Sequence, residues 1–440
     1  MSRRTTSRRH DVLILGAGAA GLAAAAELAR AGRSVLLLEA RGRIGGRAWS
    51  HSEHGLAIPI ELGAEFIHGR PAATFDALRA TGLTAIDSPR TRWFVRNGAL
   101  RPMGGIRMEI RRAMRLTPAL ERQDMSFQQF LAGKRGLAPD VRAFARRMVE
   151  GYDAADPGRV SAQDIAEEWT GEGATDMPQF RPQGGYGALM DRLLETAGER
   201  VRLCLGSVVR GVRWGPGRVE VTGETRGRPF RFAAPRAIVT LPLGVLKRPV
   251  SAVDAVRFEP ALESKQPALE RLEAGSVLRV ALLYAEAFWE SLDGGRYQNA
   301  SFFHSPYSAF PTVWTALPAR VPLLVAWCGG PRARVLSNAS EGDIVRRAVM
   351  SVRSLFGDSV GDAALPVATW VHNWQRDPYA HGAYSYVAVG GHDARRRLAA
   401  PLGGTLYFAG EAADYEGEAG TVAGALRSGV RAARELSSRL

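Results

Sequence analysis

The strongest hydrophobic pattern in the chain lies near its start. DVLIL, residues 11–15, is a continuous apolar run suited to a strand buried on both faces. Six residues, GAGAAG from Gly16 to Gly21, follow it, and an alanine-rich helix then runs to about Ala31 before Gly32 stops it. SVLLLEA supplies a second buried strand ending on Glu39. From about 71 to 175 apolar positions recur at i, i+3 and i+4, in SFQQFL and VRAFARRMVEGY, which predicts a mostly helical region. GGYGALMDRLLETAG predicts a glycine turn feeding a helix, and VRLCLGSVVRGVRW, RVEVTG and RAIVTLP predict strands. A helix is expected near 341–356, and the end of the chain reads as a strand, a glycine-rich loop and a last helix. This alternation predicts an α/β protein of two interleaved domains, the closing strand-loop-helix returning to the first βαβ unit.

That unit carries G-x-G-x-x-G at its first turn and an acid about twenty residues on, which is the dinucleotide fingerprint. Gly16 permits the tight turn, Gly18 lets backbone approach a pyrophosphate, and Gly21 lets helix pack on strand. The helix N-terminus offers N–H groups and a positive dipole end to the anion. Glu39 can accept both hydroxyls of an adenosine ribose. EARGRIGGRAWS then places Arg43 and Arg47 around two glycines, where a pyrophosphate would lie.

Charge and composition narrow the reading only a little. The 440 residues carry a net charge of +14, and of 58 cationic side chains only Lys134, Lys247 and Lys265 are lysines. The arginines are spread along the chain without a nucleic-acid-binding signature, so no nucleic-acid partner is expected. The opening MSRRTTSRRH reads as a disordered basic tail over residues 1–10. No apolar stretch reaches the length of a membrane span, and a cytoplasmic location is expected. Cys204 and Cys328 stand far apart, which excludes a disulfide framework or a cysteine-rich metal site, and no metal is expected.

Taken together, GAGAAGL, LEARGRIGGRAW, ELGAEFIHG, LPLGVLK with EPALESK, WQRDPYAHGAYSYV and TLYFAGEAADYEGEAGTVAGALRSG resemble the flavin-containing amine oxidases. That family includes monoamine oxidases, polyamine oxidases and lysine-specific histone demethylases. The resemblance implies a discontinuous Rossmann-like FAD-binding domain over 11–70, 180–265 and 400–440. A mixed-sheet and helical substrate domain would occupy 71–179 and 266–399. It implies FAD held by Gly16, Gly18, Gly21, Glu39, Arg43, Gly46, Arg47, Val209, Glu411, Thr421 and Val422. It makes Lys265 the holder of a water at flavin N5, and Trp374 and Tyr384 the aromatics beside the flavin. Thr421 stands where monoamine oxidases carry a second cage tyrosine, which implies a wider slot. Ala383 stands where they carry the cysteine joined to FAD, so the cofactor is expected to be non-covalent. Glu65 and His68 border the expected substrate channel, with Glu65 placed to attract a cationic amine. Glu167 and Glu168 are read as a solvated helix face, and Tyr386 and Trp370 as core.

The implied reaction is oxidation of a primary or secondary amine to an imine, with O₂ reduced to hydrogen peroxide. An L-amino-acid oxidase is the alternative, with Arg70 as its candidate carboxylate grip. A non-catalytic flavin-binding scaffold or a partner-dependent demethylase is a third reading.

Overall fold

A computed structural model describes residues 10–103, 120, 122–170 and 177–439. Nearly all of the basic tail, residues 1–9, lies outside the described residues. The chain begins its described part with β1 (Val12–Leu15), α1 (Ala19–Arg30) and β2 (Val35–Leu38), every strand residue of which is buried. These strands sit in a parallel five-stranded sheet ordered 201–204, 35–38, 12–15, 236–239, 406–408. Both faces are covered, which is why apolar runs without alternation form these strands.

α1 is almost wholly alanine and leucine on its buried faces because it is pressed between the sheet and the closing helix Val422–Ser437. The two helices approach so closely that a Cβ on Gly429 would lie 2.2 Å from the Ala20 carbonyl oxygen. Glu27 and Arg434 tie their outer ends together at 2.8 Å. The closing helix therefore returns to the first unit across more than 400 residues of chain, as its sequence predicts.

A second, seven-stranded mixed sheet runs in the order 368–373, 277–283, 323–329, 312–315, 302–304, 92–96, 99–102. Along Val277–Leu283 the residues Leu278, Val280 and Leu282 enter one core, packed by the helix Glu341–Phe356. Val277, Arg279 and Ala281 consequently face the opposite side, by the two-residue period of a strand. Helices Phe127–Gly133, Pro139–Gly151 and Ala162–Thr170 form a further core with Tyr386.

The region 71–175 departs from the helical expectation. Strands Arg92–Arg96 and Ala99–Pro102 form a hairpin there and join the edge of the seven-stranded sheet. Its turn is Asn97–Gly98, both with positive φ (51° and 75°), the two-residue turn that suits the twist of paired strands.

Candidate active site

The glycine turn builds an anion cradle. α1 begins on Gly18 with no side chain capping it, so the N–H groups of its first turn point outward without a side-chain acceptor. Gly18 bridges to Gly45 of the following loop, and a Cβ on Gly46 would stand 3.3 Å from the Gly18 Cα. Two backbones thus meet with no side chain between them. Arg43 lies against the same loop, its guanidinium 4.2 Å over the Trp49 ring and donating to the carbonyls of Ile44 and Gly46. Among the described residues no carboxylate pairs with it, and burial together with Arg41 pulls its pKa down to about 10. A desolvated guanidinium beside an uncapped helix start fits a bound diphosphate.

Glu39 is 4% exposed, and its carboxylate accepts the N–H groups of Ala17 (2.8 Å) and Arg41 (2.9 Å). It fixes the turn and keeps lone pairs for ribose hydroxyls. Its own backbone carbonyl accepts the Ser207 N–H at 2.8 Å, which anchors the strand Ser207–Gly215. Val209 on that strand sits at a bulge in the ladder, where regular pairing is interrupted.

Arg47 and Glu411 pair at 2.9 Å, and Arg47 also donates to the Ala383 carbonyl. Glu411 accepts the N–H (3.1 Å) and hydroxyl (2.7 Å) of Ser385. The guanidinium of Arg47 helps hold its carboxyl below the usual range despite burial. A small cleft opens along Arg47, Gly410 and Glu411, at the C-terminal ends of strands 236–239 and 406–408. That edge is where open parallel sheets bind their ligands.

Next to this lies an aromatic cluster. Trp374 donates to the Leu62 carbonyl (3.2 Å) and packs with Tyr384, Trp49, Val277 and Ala383. Tyr384 lies against Gly420, its Cδ2 3.7 Å from where a Cβ would be, and so beside the start of the closing helix at Thr421 and Val422. The Tyr384 hydroxyl donates to the Tyr152 carbonyl, and the Tyr152 ring meets His68 edge-on at 5.4 Å. Burial and nearby Arg92 push the His68 pKa down to about 4, so its ring is neutral near pH 7. Trp374, Tyr384 and His68 are therefore brought to one region, with Tyr152 as a wall that the sequence reading missed.

Three expectations change. Lys265 is 1% exposed and donates to the carbonyls of Arg397 (2.7 Å) and Ala400, with its ammonium 4.7 Å over the Phe408 ring. Its ammonium is thus committed to backbone carbonyls and to the Phe408 ring rather than to Trp374 or Tyr384. Its ammonium instead caps the C-terminal end of the helix Ala394–Ala399, where carbonyls lack partners.

Glu65 does not stand free to attract a cation. Arg279, Arg181 (2.8 Å) and Trp314 Nε1 (3.0 Å) all bind its carboxylate, and the two guanidiniums hold it ionised. The cluster is net positive. Thr421 accepts the Gly424 N–H (3.1 Å) and donates to the Glu418 carbonyl (2.6 Å), so its hydroxyl caps its own helix instead of lining a slot.

Glu167 and Glu168 are both exposed on the helix Ala162–Thr170, as a solvated face requires. Glu167 lies near His392, and Glu168 is within reach of Asp153. Trp370 and Tyr386 pack in apolar clusters, as expected.

Comparison with known proteins gives a consistent result. The family model for flavin containing amine oxidoreductases matches residues 19–437. Polyamine oxidase 3 of Oryza sativa subsp. japonica is 27% identical over 99% of this chain and 91% of its own length. Human lysine-specific histone demethylase 2 is also 27% identical, over 97% of this chain, but the chain spans about half of that longer protein (53%). Among solved structures, a putrescine oxidase bound to putrescine superposes with a TM-score of 0.82 at 23% identity, covering 98% of this chain and 100% of the other. A cyclohexylamine oxidase from Brevibacterium oxydans superposes at 0.78 with 21% identity, covering 98% and 99%.

Proposed function

The chain belongs to the flavin-containing amine oxidoreductases and its cofactor is FAD, and from that premise we propose that it oxidises primary or secondary amines with O₂ as acceptor. The observation that carries this reading is the packing of Tyr384 against Gly420, which sets an aromatic wall at the start of the closing helix and next to Trp374. Bound to the protein, FAD supplies the acceptor for a hydride equivalent from the carbon next to the amine nitrogen and the route of electrons to O₂, giving an imine and hydrogen peroxide.

The chain's own residues bind and orient. The turn from Gly16 to Gly21, the α1 N-terminus and Arg43 would hold the diphosphate, and Glu39 the ribose. Arg47, paired with Glu411, fixes the loop that carries Ala383 and Tyr384. Trp374 and Tyr384 confine the amine and exclude water. Neutral His68 adds a wall that does not repel an ammonium. With alanine at position 383 and both cysteines in other cores, no thiol is present there to join the cofactor. Acid precipitation should therefore leave all of the flavin in the supernatant.

Arg70, the candidate carboxylate grip of an amino-acid oxidase, is exposed and lies over Phe180 (4.8 Å) and Phe75. This favours amines over L-amino acids. A peroxide assay of flavin-loaded protein tests the reading: turnover of aliphatic or aromatic amines is expected. Turnover of L-amino acids alone would overturn it, and a yellow protein inert to both would point to a scaffold.

A further inference from the structure

Three consecutive arginines, Arg395 to Arg397, form one basic run in the sequence, but the fold gives them different tasks. Arg396 and Arg397 are exposed, the first lying 4.3 Å over the Tyr415 ring and the second facing Asp393 at 4.0 Å. Arg395 is half-buried, and both tips of its guanidinium bind Ser385. Nη1 donates to the Ser385 hydroxyl (2.7 Å) and Nη2 to its carbonyl (3.2 Å). A planar fork suits two acceptors on one residue, which a compact ammonium cannot match.

Ser385 passes this restraint on in two directions. Its hydroxyl, an acceptor for Arg395, donates to Glu411 Oε2 (2.7 Å), and its N–H donates to the same oxygen (3.1 Å). The other carboxylate oxygen, Oε1, binds Arg47 at 2.9 Å. Ser385 and Glu411 are both buried, so each of these bonds is costly to leave unmade. Despite that burial, the charges of Arg47 and Arg395 hold the Glu411 carboxyl below the usual range. In the other direction lies Tyr384, and both of its chain neighbours are held. Arg47 binds the Ala383 carbonyl, while Glu411 and Arg395 bind the N–H and carbonyl of Ser385. The Tyr384 carbonyl accepts the Gly275 N–H at 2.8 Å. Arg395 does not line the cleft along Arg47, Gly410 and Glu411, so its influence there runs through Ser385.

We propose that Arg395 is a positioning residue that, acting through Ser385, fixes the Tyr384 wall and the Glu411 carboxylate together. This rests on the amine-oxidation reading for Tyr384 and on Glu411 as a residue that holds FAD. One guanidinium thereby keeps the ring that confines the amine in register with the acid on the cofactor side.

The test is a double-mutant cycle on Arg395→Lys and Ser385→Ala. It is read by steady-state oxidation of n-butylamine and benzylamine, and by release of FAD from the loaded protein on dilution, followed by flavin fluorescence. Each single variant should raise KM about tenfold and weaken FAD retention about threefold or more, with kcat held within about threefold. The double variant should stay within about twofold of the worse single one, because both substitutions break the same chain of bonds. Arg395→Lys keeps a positive charge toward Asp164 and Glu168, so its melting temperature should hold. A merely structural role would lower the melting temperature and the active fraction, and hence kcat, with KM unmoved; that result would overturn the proposal. Losses that multiply in the double variant to about a hundredfold would overturn it too. Should the lysine variant fail to fold, Ser385→Ala removes only one oxygen, and an unchanged KM there is equally decisive against the role. If the protein oxidises no amine, the parent reading fails. The FAD-release cycle then still decides the link from Arg395 to Glu411, and additive losses there would break it.

Discussion

Lys265 and Glu65 show how far a side chain's role depends on partners distant in sequence. Both stand out in the sequence, one as a rare lysine and one in the ELGAEFIHG segment, and both are consumed by structure. Lys265 serves carbonyls 132 and 135 residues away. Its replacement by methionine should leave flavin reoxidation unchanged in stopped-flow traces and cost about 1–3 kcal/mol of stability through the unserved carbonyls. A pH signature accompanies this. Burial lowers its pKa from 10.5 to about 8, so between those values the unfolded chain holds a proton that the folded chain has lost. Wild-type stability should therefore climb with pH across that window, and the Lys265→Met variant should lack the climb in denaturant titrations. For Glu65, replacement by glutamine strands Arg279 and Arg181 in the interior. The expected cost is about 3–5 kcal/mol, read by chemical denaturation. Any amine whose KM changed while stability held would contradict this assignment.

Elements were more legible than residues where their pattern is local. β1, the glycine turn, α1 and β2 are all written in 27 consecutive residues, and the helix Glu341–Phe356 falls on its expected span. The hairpin at 92–102 was equally local, with Asn97–Gly98 at its turn, but the helical periodicity on either side concealed it. Short strands such as Ser385–Val387 cannot be read this way, because their pairing with Leu272–Ala274 bridges more than a hundred residues. The meeting of loop and helix at Gly46 and Gly18 also offers a test. Gly46 has φ of 57°, so an alanine there is strained by roughly 1–2 kcal/mol. Its methyl would also fill the cradle against the Gly18 Cα. The Gly46→Ala protein should fold but retain much less FAD on purification, measured as the ratio of flavin to protein absorbance.

At the scale of the molecule, the proposed reaction has a strongly basic protein meet a cationic amine. A net charge of +14 repels a dication at long range. Raising ionic strength from about 0.01 M to about 0.15 M shortens the screening length from about 30 Å to about 8 Å. Over that range kcat/KM for putrescine should rise, and more steeply than for n-butylamine. A falling value would mean that local acids already dominate the approach. The amino-acid sequence by itself determined the nucleotide-binding unit, the family and the alanine at position 383, because those depend on residues close together or on single side chains. Only the tertiary structure decided which charges are paired. It gave Glu65 two arginines, Lys265 two carbonyls and Asp153 a carboxyl neighbour, since each partner comes from a separate element that folding alone brings near. Burial then sets the price of any charge left unmatched, and that is a property of the packed interior.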